Sequence, residues 1–354
     1  MKKQLAVFSW FLFLNPDFAF SQNQSAPSSN SLLNPQTSVN ALTLYRRSKQ
    51  QSGFELPITD NGFSLQEVEL QFIADVDPYS KANALLSIHP GKKGVYEIEP
   101  EEVYAESTRI PYTTLKAGRF HAALGRHNVL HTHAFPFIDA PLINQMLLGD
   151  DGLTEVGVSA STFMPLPWYS EVIVQALQGQ NTSLFASKDS NPIAWVGRVR
   201  NLFDLSEETT LDFGISGAYG RNQYNNKTTV QGVDLTLKWR PLVGGKYRAL
   251  IVGTEFLQGD IRGRPDEPSL SGYSLYGQYQ FAERWWVQAR QELARDRFSS
   301  DRLLKVSALL AFFPSEFSAL RLEYDQTIDT DDLVRHTVSL QGNYSIGAHP
   351  AHSY

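Results

Sequence analysis

The sequence predicts an all-β fold: a closed antiparallel transmembrane β-barrel of about sixteen strands. Three observations support it. Strands with one apolar and one polar face repeat from about residue 38 to residue 346, short and long connections alternate, and aromatic residues gather beside the short connections. In the clearest strand, Val233 and Leu235 point to one side, whereas Asp234 and Thr236 point to the other. A closed sheet with an apolar outside and a wet inside is typical of outer-membrane barrels.

Each predicted strand is a segment of this alternating kind, bounded by turn-forming residues. The predicted strands lie near residues 38–47, 65–76, 81–89, 94–106, 113–122, 153–163, 168–177, 194–203, 209–220, 229–240, 247–257, 272–281, 285–293, 303–312, 318–325 and 335–346. If the segments 38–47 and 94–106 are not strands, the barrel has fourteen.

The connections assign the two ends of the barrel, because outer-membrane barrels have short periplasmic turns and longer external loops. The predicted short turns are Asp77–Ser80, Met164–Pro167, Pro241–Lys246, Ala282–Arg284 and Phe313–Phe317. The predicted long loops are His121–Gly152, Gln178–Pro192, Gln258–Ser271, Ala294–Arg302 and Gln326–Val334. If the last strand ends in the periplasm, this alternation of short turns and long loops requires a strand before residue 65.

The N-terminal residues have the pattern of an export signal. Lys2 and Lys3 precede an apolar run, and the small residues Ala19 and Ser21 suit cleavage before Gln22. We therefore expect a signal peptide at 1–21, a flexible periplasmic lead-in at 22–37 and the barrel at 38–354. The chain has no cysteine, which excludes a disulfide scaffold and thiolate chemistry.

The alternation directs charged side chains toward the lumen, because Arg or Lys facing lipid near the midplane costs about 2–4 kcal/mol. The residues predicted to line the pore are Glu67, Glu69, Arg119, Arg126, Arg290, Glu292, Arg321 and Glu323. Both signs of charge are present, so the pattern does not predict an anion-selective lumen. Aromatic residues are predicted at the periplasmic rim, where rings with one apolar and one wet end prefer the membrane interface: Trp168, Trp239, Tyr247, Phe281, Trp285, Phe312, Phe317 and Tyr344.

Four of the eight histidines occur within thirteen residues, in a long segment with the length of a loop that folds into the pore. His131 and His133 flank one residue, so an extended segment could present both imidazoles to one ion. Imidazole binds zinc or copper, and Asp139 would add an oxygen. His131, His133, His127 and Asp139 are therefore candidate metal ligands, and a structural or pore-lining role is the alternative for the same residues. The C-terminal pair, His349 and His352, is expected on the periplasmic side.

Several segments resemble a family of exported bacterial proteins labelled zinc-regulated, or TonB-dependent, outer-membrane receptors. The resemblance rests on residues 115–128, on Leu130–His133 with Asp139–Pro141, on Leu148–Gly152, and on Val68–Leu70 with Val76–Tyr79. The segment Leu-Lys-Ala-Gly-Arg-Phe at 115–120 is also similar to phosphate-selective porins. The resemblance implies an outer-membrane barrel linked to zinc supply.

The predicted function is a porin-like channel in the outer membrane that passes small hydrophilic solutes by diffusion, with a link to uptake of zinc or another divalent metal. The alternative is a non-conducting barrel that acts as a structural or surface-interaction protein. We expect no enzyme activity, because no nucleophile–base motif or phosphate loop occurs, and no cofactor beyond transient zinc. The 31 basic and 37 acidic residues form no basic stripe, so nucleic acid is not an expected partner. The expected partners are outer-membrane lipid, the barrel assembly machinery and two further copies in a homotrimer.

Overall fold

A computed structural model describes residues 35–54, 61–91, 95–188, 192–263, 270–295 and 302–347. These residues contain sixteen strands: β1 Gln36–Gln50, β2 Gly62–Asp77, β3 Ser80–Pro90, β4 Tyr96–Ile110, β5 Thr113–His121, β6 Thr154–Phe163, β7 Tyr169–Leu177, β8 Ala194–Ser206, β9 Thr209–Arg221, β10 Lys227–Trp239, β11 Ala249–Ile261, β12 Leu270–Ala282, β13 Trp285–Arg295, β14 Arg302–Ser315, β15 Ser318–Ile328 and β16 Val334–Gly347. One short α-helix, α1, spans Leu142–Leu148, and two 3-10 helices precede it at His127–Val129 and Thr132–Ala134. The predicted signal peptide, most of the lead-in, and His349 and His352 lie outside the described residues.

The strands form one closed antiparallel barrel in which each strand pairs with its neighbours in the sequence. The barrel closes where β1 pairs with β16, and thirteen residue pairs from Ser38–Gly347 to Gln50–Arg335 form this seam. The predicted sixteen-stranded barrel, including the strand before residue 65, is therefore confirmed. Within the described part of the chain, no helix is long and apolar enough to cross a bilayer.

The two faces of the wall differ as the alternation predicts. On β10, Val233 and Leu235 are 44% and 38% exposed on the outer surface, whereas Asp234 and Thr236 are buried inside. In a membrane barrel such exposed apolar residues face the lipid, and the polar residues face the interior. The outer surface is therefore apolar around the middle of the barrel, and the interior is polar.

The two ends differ in the length of their connections. Several turns at the end that we assign to the periplasm contain two residues, such as 78–79, 207–208 and 283–284. Several strand bounds differ from prediction: β14, for example, extends into the predicted turn as far as Ser315, and β11 begins only at Ala249. Aromatic residues predicted for this rim, including Trp168, Tyr247 and Tyr344, are exposed on the surface.

Candidate functional site

The connection between β5 and β6 folds into the barrel and crosses its lumen. We call residues 122–153 the inward loop. Its backbone amides donate hydrogen bonds to carboxylates on distant parts of the wall: His127 to Glu255 on β11 at 2.8 Å, and Ile138 to Glu323 on β15 at 2.7 Å. These carboxylates lie near the middle of their strands. The inward loop therefore crosses the lumen near mid-height rather than covering its outer mouth.

Apolar side chains explain why this loop is inside. The side chains of Ile143, Leu147 and Leu148 on α1 are at most 1% exposed and belong to the apolar core that the loop forms with the wall. Full burial of one such side chain contributes about 1.5–3 kcal/mol. The wall leaves room for the helix at Gly259 on β11, where an added Cβ would lie 2.3 Å from Leu147.

Ion pairs to two buried cations fix the middle of the inward loop to β13 and β14. One carboxylate oxygen of Asp139 lies 2.5 Å from Arg290, and the other contacts the ammonium of Lys305. Burial alone would raise the pKa of Asp139, but Lys305 and Arg290 outweigh it and hold that pKa well below its usual range. Asp139, a predicted metal ligand, thus has both oxygens engaged by cations. The structure gives it an anchoring position instead.

Charged residues of the loop and of strands β2, β4 and β5 converge at another part of the wall. We call Glu67, Glu69, Glu101, Glu102, His121, His131 and His133 the acid–histidine cluster. The Nε2 atom of His121 and the Nδ1 atom of His131 each lie 3.0 Å from the same oxygen of Glu101. His133 lies 2.5 Å from Glu69. Strands β2, β4 and β5 contribute every member except His131 and His133, which belong to the inward loop.

The structure brings two of the four predicted metal ligands together. The rings of His131 and His133 stack with their centroids 5.9 Å apart. Burial lowers the pKa of His131, but hydrogen bonds that its imidazole donates to Glu101 and Glu102 outweigh it and raise that pKa well above its usual value. His127 lies apart, with its ring 4.3 Å from that of Phe135. Burial and the charge of Arg290 lower its pKa to about 3, so its imidazole is neutral at neutral pH.

Sequence reasoning missed Glu101, Glu102 and the inward position of His121. A β-bulge on β4 explains the first two, because Leu85 pairs with Glu102 and Leu86 with Pro100, which leaves Glu101 as the extra residue. The sequence carried a signal for this bulge. Ile98 and Val103 both face outward but are five residues apart, an odd spacing that a regular strand does not allow.

The other residues predicted to line the pore are distributed around the interior. Glu67, Glu69, Arg290, Glu292, Arg321 and Glu323 are buried. Arg126 belongs to the inward loop, where its guanidinium pairs with Asp212 on β9 at 2.8 Å. Arg119 is half-buried and donates a hydrogen bond to the carbonyl oxygen of Pro100.

Most of the described interior is packed, and a polar cavity remains beside the acid–histidine cluster. Ser307, Glu323 and Gln341 are at most 1% exposed, although they face the inside of a wide barrel. The cavity has a volume of about 110 Å³ and lies between the inward loop and the wall. Its charged lining is mainly acidic: Glu67, Glu99, Glu101, Asp150 and Asp151, with Arg119 as the basic member.

The closed sheet, the apolar outer face and the polar interior define the chain as an outer-membrane β-barrel protein. The chain is 30% identical over 340 residues to an uncharacterized protein of Aquifex aeolicus (strain VF5), and the match covers 83% of this chain and 70% of that protein. The chain belongs to the same protein family. No family model matches the chain.

Solved structures of outer-membrane porins and channels share the fold. An anion-selective porin from Comamonas acidovorans superposes with a TM-score of 0.62 at 10% identity, covering 88% of this chain and 99% of the porin. The outer-membrane channel DcaP of Acinetobacter baumannii superposes with a TM-score of 0.56 at 12% identity, covering 88% and 96%. At these identities the likeness shows the fold alone, which places the chain in the outer membrane with a porin-like barrel.

Proposed function

We propose that this protein is a porin-like channel of the outer membrane that passes small hydrophilic solutes by diffusion, with the inward loop setting the width of the passage. One observation carries the proposal. The inward loop crosses the lumen at mid-height and is tied to the wall, yet a polar cavity remains between the loop and strands β2–β5. A constriction of this kind limits passage by size and charge.

The charge around the cavity supports passage of cations rather than anions. Five carboxylates and one guanidinium line it, and none of the five takes part in the Asp139 ion pairs with Arg290 and Lys305. Rings of Asp and Glu are the usual lining of cation-selective pores. Anion selectivity, which the Comamonas porin has in its name, is therefore not proposed for this chain.

Conductance measurements test the channel. The barrel purified from outer membranes is inserted into planar lipid bilayers, with a salt gradient across the bilayer to determine ion selectivity. We expect discrete conductance steps and a reversal potential of the sign that marks cation preference. The wild type is compared with a variant in which a short Gly–Ser linker replaces residues 126–149. A short linker can join the two strands because His121 and Thr154 are paired in the register of β5 and β6. Its steps should be larger than those of the wild type.

A non-conducting barrel that acts through its external surface is the second candidate function. The packed interior favours it, because polar wall residues such as Ser307 and Gln341 are covered rather than bathed in water. The bilayer experiment separates the two candidates. If the wild type gives no steps while the loop-replaced variant conducts, the inward loop is a plug and the channel proposal is wrong.

A more specific form of this proposal is that the channel takes up zinc or another divalent metal ion. It requires that the ion traverse the cavity, which zinc-dependent current or zinc block would reveal. Two further predictions concern partners: assembly as a homotrimer, which the mass of the detergent-solubilised protein measures, and insertion by the barrel assembly machinery.

A further inference from the structure

We infer that Glu101, His121 and His131 form a binding site for a divalent transition-metal ion of the zinc class, at the point where the inward loop meets the wall. The further claim that the channel transports this ion rests on the proposed function, but binding of the ion is measurable without conduction. The ligand set differs from that predicted by the sequence. Of the four predicted ligands only His131 belongs to it, together with His121 and Glu101, whereas His127, His133 and Asp139 do not.

The spacing of the donor atoms suits such an ion. One ligand atom from each of the three residues lies within 4.8 Å of the others, and both imidazole nitrogens lie 3.0 Å from the same carboxylate oxygen. Ligands at about 2.0–2.2 Å from a tetrahedral zinc ion are separated by about 3.3 Å. Small side-chain shifts would therefore place all three around one ion. Two nitrogens and one oxygen from protein, with an open fourth position, resemble the ligand sets of exchangeable zinc sites.

A supporting contact holds His121 in the required orientation. Its Nδ1 atom lies 2.7 Å from the hydroxyl oxygen of Thr154, the residue opposite it in the strand register. With Nδ1 engaged by this partner, Nε2 points toward Glu101. Metal-binding histidines commonly have their second ring nitrogen fixed in this way, which sets the tautomer and the ring orientation.

The acidic side chains of the acid–histidine cluster favour binding of a cation. Glu67, Glu69 and Glu101 place carboxylate oxygens within 4.8 Å of one another, and Glu102 lies 3.4 Å from His131. Among the described residues, one oxygen of Glu69 accepts no hydrogen bond, although this side chain is 97% buried (3% exposed). The four carboxylates of the cluster outnumber its three histidines. A bound divalent ion would offset carboxylate repulsion and the cost of burying unpaired oxygens.

The proposed site is also accessible. Glu67, Glu101 and His121 all line the cavity of about 110 Å³ beside the inward loop. The cavity therefore provides room beside the site for a water or solute ligand at the fourth position.

Zinc titration of the purified barrel tests the inference. The protein, without a polyhistidine tag and in detergent, competes with a chromogenic chelator for zinc chloride. We expect one strongly bound ion per chain, and a loss of affinity greater than about 100-fold in the double variant His121→Ala/His131→Ala. The variant Thr154→Val should lose about 10–100-fold, the usual effect of removing a supporting contact.

Two control variants and a second substitution make the result decisive. His336→Ala removes a histidine that contacts Tyr324 at 2.7 Å on the barrel surface, and His349→Ala/His352→Ala removes the C-terminal pair. Both controls should bind zinc as the wild type does. If the double variant does not fold, judged by its gel mobility before and after boiling, the isosteric Glu101→Gln variant decides. Wild-type protein that binds no stoichiometric zinc, or binding that Glu101→Gln leaves unchanged, would overturn the inference, and bilayer conductance without zinc tests the channel separately.

Discussion

Replacement of Asp139 by asparagine tests what holds the inward loop in the lumen. Asparagine keeps the shape of the side chain but removes the negative charge that faces Arg290 and Lys305. Both cations are buried, with side-chain exposures of 2% and 6%. The substitution should therefore weaken the anchor of the loop, while the strands, which pair through their backbones, keep their register.

The size of the effect follows from the partners that remain. Loss of one member of a buried ion pair costs about 3–5 kcal/mol when its partner is left alone. Here Arg290 keeps Glu292 at 3.1 Å and Lys305 keeps Asp325 at 3.6 Å, so we expect less. A value of about 1–3 kcal/mol corresponds to leaving a buried polar group poorly satisfied. That free energy changes the ratio of anchored to released loop by about 5- to 150-fold.

Hydrogen exchange measured by mass spectrometry reports this ratio directly. The amides of Ile138 and Leu142 donate to Glu323 and Glu292, so they exchange only when the loop leaves the wall. In Asp139→Asn, peptides containing them should exchange about 5- to 150-fold faster, whereas peptides from β9 and β10 should not change. Asp331→Asn, in an external loop, is the matched control. Unchanged exchange at Ile138 and Leu142 would refute the assignment of Asp139 as an anchor.

Three further substitutions test other contacts. Glu255→Gln disturbs the carboxylate that accepts hydrogen bonds from the amides of Arg126 and His127. Hydrogen exchange at these two amides should become faster by an amount equivalent to about 1–3 kcal/mol. Exchange rates equal to those of the wild type would contradict the contact. Leu147→Ala leaves a cavity under α1 and should destabilise the anchored loop by about 2–5 kcal/mol in the same assay. If it destabilises the loop less than the exposed control Val129→Ala does, α1 is not packed against the wall. Leu235→Arg places a charge on the lipid face and should lower folding stability in urea-titrated vesicles by about 2–4 kcal/mol, and a neutral effect would reverse the assigned faces.

The barrel could be predicted from sequence because its pattern is local. Within about ten residues, each strand shows by its alternation which side chains face the lipid and which face the interior, as Leu235 and Asp234 do. The alternation of short and long connections then requires the strand before residue 65. The closing pairs between β1 and β16 needed no separate signal, because a closed sheet leaves these two strands as the remaining partners for each other.

The candidate site could be predicted only in part, because its contacts join residues that are distant in sequence. The histidine spacing indicated His131 and His133, and both are in the cluster. The same reasoning selected Asp139, whose partners Arg290 and Lys305 are 151 and 166 positions away and carry no local mark of this contact. Glu101 was missed because a one-residue bulge shifts the facing of β4 halfway along the strand.

The way the wall holds the inward loop has a consequence for redesign of the barrel. Glu255, Glu292 and Glu323 accept hydrogen bonds from the loop's main-chain amides, a group that every residue except proline supplies. At these three points the wall therefore specifies a path without specifying side chains. A foreign segment of matching length could be grafted along the same path, with new side chains facing the cavity, provided that proline is kept from positions 126, 127, 138 and 142 and that the ion pairs of Asp139 and the apolar face of α1 are retained. The barrel thus offers a scaffold in which side chains that face the cavity can be exchanged while the loop keeps its path.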